Sequence, residues 1–132
     1  MTATKYTQTI DAPDLMRGGA SVDSISEKRI LRVAHPGGTL QNFAPEGIHE
    51  AELIIFANGG NIGGIAAPVP LRNKKLHIYV QNLESVLLTN EDAGSLAENR
   101  IISDENPQGQ FTLMYDSVNA RWIILSTGPG AI

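Results

Sequence analysis

An all-β fold is what this sequence predicts, and three observations carry the prediction. Apolar residues come in short runs between Gly, Pro, Asn and Asp clusters, too brief for helices and rich in strand formers. Only 18% of residues are charged, below the roughly 25% of an average globular chain, while 13 glycines and 7 prolines supply turns. No convincing amphipathic helix pattern is present. The 132 residues suit one domain, and at 5% aromatic content its core must be built mainly from Ile, Leu and Val. The expected architecture is a single β-sandwich, jelly-roll-like or barrel domain over residues 29–132, preceded by an extended N-terminal arm over residues 1–28.

The arm is hydroxyl-rich from Thr2 to Thr9, and Pro13 and Gly18-Gly19 then interrupt any regular element. It has no core of its own and reads equally as an extended arm or a disordered tail. Strand signals begin at Arg29-Ile30-Leu31-Arg32-Val33 and stop at His35-Pro36-Gly37-Gly38. Thr39 to Phe43 is a second short strand before the Ala44-Pro45-Glu46-Gly47 turn, and Glu52 to Phe56 is a buried one bounded by Asn58-Gly59-Gly60. Ile62-Gly63-Gly64-Ile65 and Pro68-Val69-Pro70 read as loop or edge material, because each proline lacks the ladder donor. Leu76-His77-Ile78-Tyr79-Val80 alternates cleanly, with Leu76, Ile78 and Val80 on one face. Ser85 to Thr89 and Asn99 to Ile102 follow as short strands, separated by a polar stretch, and Asp104 to Gly109 is a turn containing Pro107. Gln110 to Tyr115 and Arg121 to Leu125 are joined by five residues, a hairpin spacing.

Chemistry is sparse. With no cysteine there is no disulfide, thiolate metal site or thiol nucleophile, which fits synthesis and assembly in a cytoplasm. No signal peptide pattern follows Met1, and no apolar stretch nears the ~18 residues that span a bilayer, so no membrane association is expected. The glycine-rich Asn58 to Gly64 stretch lacks the spacing of a phosphate loop and reads as a loop needing positive φ at several positions. His35, His49 and His77 are too scattered for a metal site, and no serine sits in a nucleophile elbow. Glu91-Asp92 and Asp104-Glu105 lack calcium-loop spacing and read as solvated or partner-facing loops. No cofactor and no catalysis are therefore expected. Residues 1–75 carry eight basic and seven acidic side chains, whereas residues 76–132 carry two and seven. The acidic second half would repel phosphates, so nucleic acid is not an expected partner. The basic groups Lys28-Arg29 with Arg32, and Arg72 with Lys74-Lys75, suit an acidic protein surface instead.

The stretch Leu87-Leu88-Thr89-Asn90-Glu91-Asp92-Ala93-Gly94-Ser95-Leu96-Ala97-Glu98-Asn99-Arg100-Ile101 resembles a segment recurrent in bacteriophage head-fibre, decoration and tail-fibre domains. Phe111-Thr112-Leu113-Met114-Tyr115-Asp116 and Arg121-Trp122 resemble the last hairpin of those proteins. The likeness covers residues 76–126 well, residues 38–75 loosely and the first thirty not at all. It marks Asn99, Arg100, Tyr115, Asp116, Arg121 and Trp122 as fold-forming. Tyr115 and Trp122 can pair across the hairpin with a polar atom of each kept wet, and Arg121 can reach Asp116, worth about 0.5 kcal/mol if exposed.

The resemblance implies a β-sandwich or jelly-roll subunit that forms a homotrimer. The expectation is a non-enzymatic capsid decoration (cement) protein, made in the host cytoplasm and carried on the outer capsid surface of the virion. There it would tie major capsid protein subunits together. A chain this short, read as complete, suits a capsid surface better than a fibre with its long shaft. Shell or inter-subunit contact is expected from Tyr6, Ile10, Leu15 and Met16 of the arm and from Lys28, Arg29 and Arg32. The alternative is a tail-fibre or head-fibre tip that binds a host receptor or glycan. A sugar-binding or sugar-cleaving jelly roll is disfavoured by the single tryptophan and the lack of a carboxylate pair placed across a groove.

Overall fold

The computed structural model describes residues 25–103 and 105–128; the arm residues Tyr6, Ile10, Leu15 and Met16 lie outside them. The described chain is all-β, with ten strands and two 3₁₀ turns, Glu27–Arg29 and Ala97–Asn99. In chain order the strands are β1 (Ile30–Val33), β2 (Thr39–Leu40), β3 (Leu53–Phe56), β4 (Gly60–Ile62) and β5 (Lys75–Val80). They continue with β6 (Val86–Leu88), β7 (Ile101–Ile102), β8 (Gln108–Gly109), β9 (Phe111–Asp116) and β10 (Arg121–Thr127).

From β1 to β9 successive strands alternate between two sheets, and β10 stays in the sheet of β9. A six-stranded sheet has the order β1-β3-β5-β9-β10-β7, and a four-stranded sheet the order β2-β4-β6-β8. The pairs β1–β3–β5 and β2–β4–β6 are all parallel. The chain therefore winds three times round one core, each turn laying one strand on each sheet. The all-β class holds, and the arrangement is β-solenoid-like, not a clear jelly roll or barrel of the kind expected from strand spacing. Strand length and burial pattern are the same in either architecture, so the spacing of short strands could not separate them.

Register makes each turn a rung. Leu31, Ile54 and Ile78 stack in one column, and Val33, Phe56 and Val80 in the next. On the second sheet Leu40, Ile62 and Leu88 do the same. A third side is outlined by the bridge between Phe43 and Ile65. Side chains at i and i+2 share a face of each strand, so these columns fill the interior. Ile54, Phe56, Ile62, Ile65 and Leu88 are fully buried. Burial at about 25 cal/mol per Å² makes each worth roughly 1.5–3 kcal/mol.

Two strands fell where the sequence reading placed turn and loop: β4, within the glycine-rich stretch, and β8, after Pro107. The glycines of the 58–64 stretch are needed for space and not for positive φ, which among the described glycines falls at Gly37, Gly38, Gly47 and Gly109. A β-carbon on Gly60 would strike the His35 ring, and one on Gly64 would strike the Ser95 side chain and the Asn99 carbonyl. Corners of adjacent rungs come this close only without side chains. Asparagines tie the corners together: Asn58 bonds the His35 N–H and C=O, and Asn82 Nδ2 donates to Ala57 O.

The last rung is closed by the hairpin. β9 pairs antiparallel with β5 and with β10, and β7 runs parallel to β10. Tyr115 and Trp122 are direct cross-strand partners in edge-to-face contact, ring centroids 5.2 Å apart. Neither polar atom is left to water, contrary to expectation. Trp122 Nε1 donates to Ile65 O at 2.9 Å and Tyr115 OH to Glu98 O at 2.7 Å, so both rings are buried whole. The Arg121–Asp116 pairing does not form either. Arg121 Nε donates to Glu91 Oε1 at 2.8 Å, while Asp116 accepts from Val118 and Asn119 inside its own turn. Those local donors hold the Asp116 carboxyl below its usual range, Asn119 contributing most.

Candidate functional site

Three parallel strands that start at one end of the solenoid bring distant charges together. Arg29 immediately precedes β1, Glu52 immediately precedes β3, and Lys75 opens β5. With Glu50, Arg72, Asn73, Lys74 and His77 they line a cleft of about 360 Å³. Four formal cations thus face two carboxylates. The sequence had separated this set into two basic groups more than forty residues apart; parallel pairing at rung spacing makes them neighbours.

Within the cleft, Arg29 Nη1 donates to Glu52 Oε2 at 2.6 Å, an exposed pair. Arg72 donates to the Pro70 and His49 carbonyls, and Lys74 Nζ to Ile48 O at 2.6 Å. Lys74 is thereby buried beneath the loop that leads into β3. Burial, helped by the Arg72 charge, pushes its ammonium down to about 8, and Glu50 and Glu52 oppose that shift. His77 stays on the outer face, its Nδ1 2.9 Å from Thr112 Oγ1.

Beyond His77 the outer face of the six-stranded sheet turns apolar. One cross-strand row runs Arg32, Ile55, Tyr79; another runs Lys75, Met114, Ile123, Ile102. Tyr79, Ile102 and Leu125 are exposed by 42%, 44% and 46%, and Ile55, Met114 and Ile123 are half-buried. A solvated sheet face normally alternates to polar residues. This one keeps a broad apolar band beside a basic cleft.

The remaining residues singled out in the sequence fall as follows. Lys28 is exposed on the 3₁₀ turn before β1. Arg32 is exposed and held by Glu27, whose carboxyl it pulls below its ordinary range. Asn99 is buried, accepting from Ala67 N and donating to Asn42 Oδ1, so it fastens the third side of the solenoid. Arg100 Nε donates to Ser95 O. Residues 50, 52, 73 and 77 were missed as cleft-lining groups. No common spacing marked them in the sequence; the parallel pairing of β1, β3 and β5 brings them to one cleft.

Among the described residues no group of three or more His, Asp or Glu side chains gathers to hold a metal. No described helix is long and apolar enough to cross a membrane. In comparisons with known proteins, no family model matches the chain, and no curated protein or solved structure matches it.

Proposed function

We propose that this chain is a non-catalytic structural protein of a phage particle: a capsid decoration protein that acts as a homotrimer and docks on major capsid subunits. The observation that supports this best is the basic cleft set beside the apolar outer face of the six-stranded sheet. Such a surface suits a protein partner with acidic groups at its rim and apolar groups at its centre. Arg29, Arg72 and Lys75 would supply steering and register, and Ile55, Tyr79, Met114 and Ile123 the area that excludes water. The sequence likeness of residues 76–126 to phage head-fibre, decoration and tail-fibre proteins directs the reading to a virion component. The second reading, a fibre tip for a host receptor, draws on the apolar side chains at loop positions, Leu83 at 70% and Val118 at 87% exposure.

The test is co-sedimentation of the full chain with coat shells from its own source, beside a parallel binding assay on host cells. Lys75→Glu is expected to weaken shell binding at least about tenfold, and wild-type binding to fall as salt rises. Shell binding indifferent to both the substitution and salt overturns the docking surface. Binding to cells but not to shells replaces the decoration reading with the fibre tip. Light scattering that gives a monomer mass removes the trimer.

A further inference from the structure

The ammonium of Lys74 lies inside the fold without a counter-charge. Lys74 is only 9% exposed, and Ile48 O takes one of its three donors, at 2.6 Å. Among the described residues the ion pairs are Arg29–Glu52, Arg32–Glu27 and Arg121–Glu91, and none includes Lys74. A charge removed from water is ordinarily paired, and one neutral carbonyl replaces little of its hydration. The cost shows in its titration: burial first, and the Arg72 charge second, bring it down to about 8. Glu50 and Glu52 pull the other way without reaching ion-pair distance.

The walls of the cleft suit the missing charge. Arg29, Arg72, Lys74 and Lys75 outnumber Glu50 and Glu52 by four to two, and Glu52 is already held by Arg29. Asn73 Oδ1 accepts from Ser117 N and Oγ at 2.9 and 2.8 Å, so its amide NH₂ remains a donor at the cleft wall. Arg72 is anchored on the Pro70 and His49 carbonyls, and His77 on Thr112, which steadies the surround. The volume of about 360 Å³ admits an acidic side chain. A dianion would meet Glu50 and Glu52 at close quarters, whereas a single negative charge leaves the cleft nearly balanced.

We propose that the cleft seats one carboxylate, from an aspartate or glutamate side chain of the docking partner, against Lys74, Asn73 and Lys75. This rests on the docking surface proposed above and names the group that its basic end recognises. A carboxylate carried on a protein is favoured over a free small acid because the cleft continues into the apolar row. Lys75 is the cross-strand partner of Met114, and Met114 that of Ile123. The segment bearing the acid covers that row, and its charge keeps the Lys74 ammonium protonated.

The test follows Lys74 by NMR in the full chain, with ¹³C-labelled lysine, from pH 6.5 to 10. The protein is titrated alone and with an end-blocked hexaglutamate peptide, acetate, inorganic phosphate or sodium chloride at matched ionic strength. The peptide is expected to move the Lys74 titration upward by at least about one pH unit, a tenfold linkage between proton and carboxylate, and chloride to leave it in place. Lys74→Met should bind the peptide at least about tenfold more weakly at pH 7; the wild-type titration gives the same answer should that variant not fold. Lys74 titrating alike with and without the peptide overturns the proposal, as does an equal rise in chloride. Acetate bound as tightly as the peptide, or phosphate bound more tightly, overturns the assignment to a protein side chain. No shells are involved: shell binding by a protein whose Lys74 ignores the peptide spares the docking surface and removes only the seated carboxylate. A seated peptide with shells ignored removes only the coat as partner.

Discussion

Lys74 is a cation that folding takes out of water, and its titration should be visible in the stability of the whole domain. Its ammonium loses its proton near pH 8 in the native protein, against 10.5 for a solvated lysine. Between those values the unfolded chain binds more protons than the native one, so stability rises with pH across the window and is lowest below it. With those two pKa values the gain from pH 7 to pH 9.5 is about 2 kcal/mol. Lys74→Met removes the titration but keeps the stem that packs under the loop. It also leaves Ile48 O without its donor, at a cost of about 1–2 kcal/mol that partly offsets the relief of burying no charge. Urea unfolding of both proteins at half-unit steps from pH 7 to 9.5 separates these effects, since every other titration cancels in the difference. The wild type should gain on the variant steadily over that range. The series stops at 9.5 because burial raises the Tyr115 pKa above 10.0, and stability falls again once tyrosines ionise in the unfolded chain. Equal slopes for the two proteins would show that the Lys74 ammonium is solvated and that the cleft holds no buried cation.

Two further substitutions test how the rungs are held. Gly64→Ala drives a methyl into Ser95 and the Asn99 carbonyl, and should cost about 1–3 kcal/mol in denaturant unfolding; an unchanged midpoint would mean that the corner is loose. Trp122→Phe keeps most of the ring contact with Tyr115 but leaves Ile65 O buried without its donor. It should therefore lose about 2 kcal/mol, and a loss below about 0.5 kcal/mol would show that this bond is made to water instead.

Eight of the ten strands were legible because period-two burial is written locally. Leu76, Ile78 and Val80 alternate with His77 and Tyr79, and the structure buries the first three and exposes the other two. β4 was hidden because glycine is a poor strand former by propensity, and here Gly60 is selected by the His35 ring across the corner. The repeat itself was readable in hindsight: Ile30-Leu31-Arg32-Val33-Ala34-His35 parallels Leu53-Ile54-Ile55-Phe56-Ala57-Asn58 at 23 residues, the same offset as their pairing. Of the candidate contact residues, Arg29 lines the cleft, whereas Arg32 is spent on Glu27. Arg121 was assigned to its nearest carboxylate in the chain, but Asp116 is occupied by its own turn and Glu91 arrives from another loop.

By itself the sequence determined the all-β class, the position of most strands and the interior face of each, because those follow from neighbours one to four residues apart. Only the tertiary structure decided that the strands pair in parallel and wind into rungs rather than fold back as a jelly roll. Hydrophobic alternation sets which face is buried and is indifferent to which strand lies alongside. Backbone pairing between residues 22 to 26 positions apart fixed that choice, and with it the meeting of Arg29, Glu52, Lys75 and His77 at one cleft.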